Sequence, residues 1–308
     1  IQDGIINAQY QDDRNNLWLA LENGISKVEI NAPITTFDSR TGIEGIVQSI
    51  SRYNGTLYVA TLLGVYYLPQ PQDHDLNREL TDEEMTAYER SNFVKLKGIT
   101  TQCWDLLSVT GEDHSALLVA TNDGIYGIDE TNTATFITRY DPWMMYHSIM
   151  DPARVYIGCT DGIASIYWKN GKWLDAGRLD GIEESIVYIS EDQQENLWMG
   201  QPDGVIRMKI VSTMANGEIN ETEVQHYDTT SGLPGGLVFL QNSMGGTLFA
   251  SEEGLYKFEN NRFSMDDVFG PDFAKGDKRI HRVVEDKSGN VWMETISPLA
   301  VEVIGRSS

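Results

Sequence analysis

Apolar residues come along this chain in short runs, each closed by a polar turn that ends in glycine. Leu17-Trp18-Leu19-Ala20 leads to Asn23-Gly24-Ile25, Leu57-Tyr58-Val59-Ala60 to Leu63-Gly64-Val65, and Leu117-Leu118-Val119-Ala120 to Asp123-Gly124-Ile125. Val155-Tyr156-Ile157-Gly158 leads in the same way to Asp161-Gly162-Ile163, Leu197-Trp198-Met199-Gly200 to Asp203-Gly204-Val205, and Leu248-Phe249-Ala250-Ser251 to Glu253-Gly254-Leu255. A seventh copy, Val291-Trp292-Met293, has lost its glycine. Runs of this length, continuous rather than alternating, predict strands buried on both faces. The glycine supplies the positive φ that a tight hairpin needs.

Each run is followed by a second apolar strand, such as Val65-Tyr66-Tyr67-Leu68 or Leu255-Tyr256-Lys257-Phe258. Before it lie a further strand and a turn such as Asn54-Gly55 or Gly289-Asn290. After it comes an aromatic-bearing stretch that reads as an outer strand: Thr36-Phe37, Phe93-Val94, Thr135-Phe136-Ile137, Lys172-Trp173, Gln225-His226-Tyr227 and Arg262-Phe263. Four antiparallel strands make one unit, and seven units in 308 residues give 44 residues each, a blade-like period. A lone four-stranded sheet cannot cover both of its faces, whereas radial stacking covers both. The pattern therefore predicts an all-β fold, a seven-bladed β-propeller of four-stranded antiparallel blades, occupying residues 1–308 as a single domain.

Two features depart from the repeat. Residues 69–92 interrupt the second unit, and Thr81-Asp82-Glu83-Glu84 within them reads as a capping box opening a short helix. Residues 211–222, with Asn216-Gly217, read as an extended hairpin. Either is a tolerated surface insertion or a lid or partner-docking element. At the ends, the first inner strand is expected at Ile6–Tyr10 and the last visible strand at Leu299–Ile304. No seventh outer strand is visible, so either residues 1–5 partly close the ring or the last blade is incomplete and its missing strand lies outside this sequence, and the first residue is Ile with no basic-then-apolar segment opening the chain. Both features read as a piece of a longer protein.

Charge narrows the partners. Lys and Arg number 23 against 46 Asp and Glu, a formal net charge of −23. Such a chain repels nucleic acid and anionic membrane surfaces, and no apolar run is long enough to span a bilayer. The two cysteines, Cys103 and Cys159, fit no metal or redox spacing and read as free buried thiols. No phosphate-binding glycine loop, nucleophile elbow or zinc motif occurs, so no cofactor, metal site or catalytic residue is expected. The acidic turns, for example Asp12-Asp13-Arg14-Asn15, read as solvated hairpin turns.

The phrases Glu285-Asp286-Lys287-Ser288-Gly289-Asn290-Val291-Trp292, Glu191-Asp192-Gln193-Gln194-Glu195-Asn196-Leu197-Trp198 and Asp12-Asp13-Arg14-Asn15-Asn16-Leu17-Trp18 share one consensus. The connectors Asp3-Gly4-Ile5, Thr41-Gly42-Ile43, Asp180-Gly181-Ile182 and Ser231-Gly232-Leu233-Pro234 share another. Together they resemble the two-component regulator propeller repeat, over essentially the whole chain; the third and fourth copies match by spacing alone, and the seventh keeps the Gly-Asn-Val-Trp phrase but not the turn glycine after it. The resemblance implies the periplasmic sensor region of a membrane-anchored signalling protein, with a histidine kinase or diguanylate cyclase output elsewhere. It also implies a small-molecule ligand, many members responding to saccharides, or a homodimer of the full-length protein.

In a propeller, each connector between blades delivers residues to the mouth of the central channel. The candidate ligand-binding residues are accordingly Glu44, Trp143, Tyr146, His147, Glu184, Arg279 and His281: two aromatics, two imidazoles, two acids and one cation. Aromatic walls with a few convergent polar groups suit a sugar ring. Packing between blades is the competing role for Trp143. Two rival readings stand beside the sensor: a metal-dependent propeller lyase or hydrolase using His147, His281, Glu44 and Glu184, and a pure protein-interaction propeller.

Overall fold

The computed structural model describes residues 6–11, 16–21, 24–29, 37–69, 92–111, 114–243, 246–276, 279–285, 291–295 and 300–304. The chain forms two compact units, Ile1–Arg40 and Thr41–Ser308. The first contains one antiparallel sheet in the order β1 (Ile6–Gln11), β2 (Asn16–Leu21) and β3 (Gly24–Glu29).

Among the described residues the second unit carries six further sheets, each an antiparallel meander. The next is β4 (Val47–Tyr53), β5 (Thr56–Thr61), β6 (Gly64–Leu68) and β7 (Val94–Lys95). Then come β8 (Cys103–Thr110), β9 (Ser115–Thr121), β10 (Gly124–Ile128) and β11 (Ala134–Thr138). The fourth sheet is β12 (Pro142–His147), β13 (Arg154–Cys159), β14 (Gly162–Lys169) and β15 (Lys172–Arg178). The fifth is β16 (Tyr188–Glu191), β17 (Asn196–Gln201), β18 (Gly204–Thr213) and β19 (Ile219–Tyr227). The sixth is β20 (Phe239–Ser243), β21 (Gly246–Ser251), β22 (Gly254–Glu259) and β23 (Arg262–Met265). The last is β24 (Ile280–Glu285), β25 (Val291–Thr295) and β26 (Ala300–Ile304), three-stranded among the described residues.

The all-β propeller class read from the repeat is what the structure shows, and the seven hairpin copies fall on seven sheets. The outer strands expected at Phe93, Phe136, Trp173, Tyr227 and Phe263 lie in or beside β7, β11, β15, β19 and β23. The extended hairpin at 211–222 is present, joining β18 to β19. The capping box at 81–84 and most of the 69–92 insertion lie outside the described residues.

Consecutive sheets of the second unit stack through their second strands. Leu117 and Val119 of β9 pack with Tyr58, Ala60 and Val65 of the sheet before. Leu118 and Ala120 pack with Val155 and Ile157 of the sheet after. The pleat thus sends neighbouring residues of one strand into two different cores, which is why the run is apolar throughout. The same division recurs at β17, where Leu197 and Met199 face backward and Trp198 forward.

The connectors are fixed by glycine. Gly232 has φ 93°, and a Cβ there would lie 2.3 Å from the Phe263 carbonyl oxygen. The connecting chain therefore runs flush against the outer strand of the next sheet. Cys103 and Cys159 are free and buried, and burial pushes each thiol up to about 12.

Candidate functional site: an aromatic channel

The innermost strands β4, β8, β12, β16, β20 and β24 all contribute to one cavity of about 860 Å³. Its wall is largely apolar and aromatic, with Trp104, Trp143, Tyr146, Tyr188 and Phe239 among the lining residues. The polar lining is Gln48, Ser49, Asp105 and Gln241.

A recurring irregularity builds the mouth. Register slips between Val47 and Ser49, Cys103 and Asp105, Pro142 and Met144, and Ile280 and Arg282. The extra residues are Gln48, Trp104, Trp143 and His281. A bulge bends its strand and re-aims the inserted side chain, and Gln48, Trp104 and Trp143 line the cavity.

The two tryptophans form an edge-to-face pair, ring centroids 5.3 Å apart at 64°. Both indole N–H groups are engaged outside the cavity. Trp104 Nε1 donates to Asn122 Oδ1 at 2.6 Å, and Asn122 Nδ2 donates in turn to Gln102 Oε1 at 2.7 Å. Trp143 Nε1 donates to Ser185 Oγ at 3.1 Å. Trp143 keeps 39% of its surface exposed. The two rings are thereby held in a fixed orientation.

Deeper in the wall, Asp105 joins three successive inner strands. Its Oδ1 accepts from Ser49 Oγ at 3.0 Å and from Leu106 N at 2.8 Å, while Oδ2 accepts from Met145 N at 2.9 Å. Inner-edge amides of a propeller have no strand neighbour across the channel; here a carboxylate satisfies two of them.

Of the residues proposed from sequence, the cavity brings together Trp143 and Tyr146. Tyr146 also has a structural role, since its hydroxyl accepts from Glu191 N at 3.2 Å and its ring packs with the next core. His147 closes β12 at the end remote from Trp143, its Nε2 paired with the Pro152 carbonyl at 2.8 Å. Glu184 stands 3.5 Å from His226, and Arg279 stands 3.7 Å from Glu252, both at the surface. Glu44 is exposed on its connector, and the His281 side chain lies outside the described residues. Among the described residues no group of three or more His, Cys, Asp or Glu could hold a metal ion.

Trp104 was absent from the sequence-derived set. Its signal was its position: Trp104 and Trp143 each stand second in an inner strand, so aligning the strand starts pairs them. The bulge that turns them toward the channel has no apolar signature of its own.

Neither a protein-family model nor a curated protein matches the chain. Solved structures do. The extracellular domain of a putative hybrid two component system from B. thetaiotaomicron matches with TM-score 0.62 at 17% identity, over 96% of this chain and 38% of that one. The extracellular domain of a putative one component system from the same organism matches with TM-score 0.58 at 13% identity, over 100% and 39%. Virginiamycin B lyase from Staphylococcus aureus matches with TM-score 0.52 at 10% identity, over 92% and 89%. The chain thus shares the propeller fold of these proteins, and it spans about two fifths of the length of the first two. Among the described residues no helix is long and apolar enough to cross a membrane.

Proposed function

We propose that this chain is the extracytoplasmic, periplasmic ligand-sensing propeller of a membrane-anchored two-component-type signalling protein, with a histidine kinase or diguanylate cyclase output elsewhere. It is non-catalytic, and it binds a small molecule such as a saccharide in its channel. The observation that carries this reading is the oriented Trp104–Trp143 pair at the mouth of an 860 Å³ cavity. Flat aromatic faces suit the C–H faces of a pyranose, and Gln48, Ser49 and Gln241 offer neutral hydrogen-bonding groups for hydroxyls. The likeness to extracellular domains of signalling systems supports the sensor role. A propeller hosts many functions, so the fold shared with a lyase gives the enzyme reading little weight.

A thermal-shift panel of mono- and oligosaccharides tests the proposal. A ligand that binds only the native state raises the midpoint, by about 2.7 kcal/mol of added stability at a hundred times Kd. Trp104→Ala and Trp143→Ala should each abolish the shift and leave the unliganded midpoint within about 2 °C of the parent. Tyr146→Ala is a poorer probe, because it also removes the Glu191 contact. If no saccharide moves the midpoint while a second protein does, the interaction-propeller reading replaces this one.

A further inference from the structure

We infer that the affinity of the channel is set from outside it: Asn122, backed by Gln102, and Ser185 are positioning residues that hold the Trp104–Trp143 pair in place for a ligand ring. The inference rests on reading the channel as the ligand site and adds the residues that govern how tightly that site binds.

None of the three lines the cavity, so any effect they have on a ligand passes through the tryptophans. The two indoles stand at 64° with centroids 5.3 Å apart, and their faces make a corner. The backbones behind them are tied together, since Asp105, next to Trp104, accepts from Met145 N, two residues beyond Trp143. What remains is rotation of each indole about its side-chain bonds. An indole has a single polar handle, its N–H, and the group that accepts from it decides which way the ring faces.

For Trp104 that acceptor is Asn122 Oδ1 at 2.6 Å, in the turn between β9 and β10. Asn122 is exposed, and an exposed amide is ordinarily free to turn toward water. Here Gln102 holds it twice. Asn122 Nδ2 donates to Gln102 Oε1 at 2.7 Å, and its backbone N–H donates to the Gln102 carbonyl at 3.0 Å. For Trp143 the acceptor is Ser185 Oγ at 3.1 Å, in the connector between β15 and β16. A backbone bridge from Ser185 to Gly162, at the start of β14, fixes this anchor in turn. Each ring is thus held by a side chain that is itself restrained, the arrangement a preorganised binding surface requires. Without its anchor an indole spreads over several staggered rotamers. A ligand must then order the ring as it binds, which weakens affinity by about three- to ten-fold per side chain.

Circular dichroism reads the corner without a ligand. Two indoles in edge contact couple and give paired bands of opposite sign. The parent spectrum minus that of Trp104→Phe, and the parent minus Trp143→Phe, should therefore share one couplet. Asn122→Ala and Ser185→Ala should each shrink that couplet by about two-fold or more, since a ring shared between rotamers spends at most about half its time in the corner. Asn122→Asp and Ser185→Thr keep the acceptor oxygen and should retain the couplet. All four variants should melt within about 2 °C of the parent. A couplet unchanged in an alanine variant overturns the assignment of that residue. A couplet lost equally in the variant that keeps the oxygen, or lost along with a larger fall in the midpoint, marks a structural role and also overturns it.

Glucose, galactose, mannose, xylose, cellobiose, maltose and lactose supply the binding arm, read by thermal shift and calorimetry. Any of these that raises the parent midpoint should bind the two alanine variants about three- to ten-fold more weakly. It should bind Asn122→Asp and Ser185→Thr as tightly as the parent. Parent-like affinity in both alanine variants overturns the inference and leaves the sensor reading standing. If the couplet responds as expected but none of these sugars binds, the anchors hold and the saccharide reading falls.

Discussion

Asp192 shows what the repeat's recurring acid does. Its Oδ1 accepts from the backbone N–H groups of Gln194 and Asn196, each at 2.9 Å. Its Oδ2 accepts from Asn196 Nδ2 at 2.8 Å and from Trp198 Nε1 at 2.7 Å. One carboxylate thus closes the turn, in which Glu195 sits at φ 63°, and gives the buried indole its partner. Trp198 is 2% exposed, with the rings of Phe249, Phe258 and Phe263 edge-on to it. The same six-residue interval separates Asp12 from Trp18 and Asp286 from Trp292. The acid, the asparagine and the tryptophan were all visible in sequence, but the expectation of a merely solvated turn was too weak: spacing does not reveal that one side chain serves both turn and core. Asp192→Ala should destabilise by about 2–3 kcal/mol, read from the urea midpoint, because a buried indole donor and two turn amides lose their acceptor. A loss under about 0.5 kcal/mol would mean that water replaces the carboxylate at no cost.

Between elements, neighbouring sheets are latched as well as stacked. Asp175 on β15 accepts from Thr138 Oγ1 of β11 and from Tyr140 OH, each at 2.6 Å, and from Gly177 N at 2.9 Å. Burial raises its carboxyl, but these three donors outweigh that and hold it below the usual range. A depressed folded value means stabilisation that is present above the unfolded pKa of about 3.9 and is lost as pH falls through the folded one. Asp175→Asn should therefore flatten the fall of Tm below about pH 4; an unchanged acid limb would show that the latch adds nothing. A second latch holds the extended hairpin. Arg154, 1% exposed, donates from Nη2 to the Gly217 carbonyl at 2.7 Å and from Nη1 to Ser165 Oγ at 3.0 Å. Asn216-Gly217 announced the hairpin in sequence. Its docking partner, an arginine more than sixty residues earlier, carried no local signal because long-range pairing leaves none in a single chain.

For the molecule as a whole, the fold was legible and the lining of the candidate channel only half so. Strands such as Val155–Cys159 are buried at every position, and a run apolar on both faces admits few architectures other than stacked sheets. The channel followed from that architecture, and Trp143 and Tyr146 with it. His147, the residue after Tyr146, falls outside the cavity with its ring paired to the Pro152 carbonyl beyond the end of β12. Trp104 and Gln48 were missed because a one-residue bulge changes which face a side chain takes without changing composition.

The central claim is that the aromatic channel of these inner strands is where the protein meets its ligand. A crystal structure of the chain soaked with the saccharide giving the largest thermal shift tests it most directly. The account predicts a sugar ring in van der Waals contact with Trp104 and Trp143; a sugar bound elsewhere, over an empty channel, would contradict it.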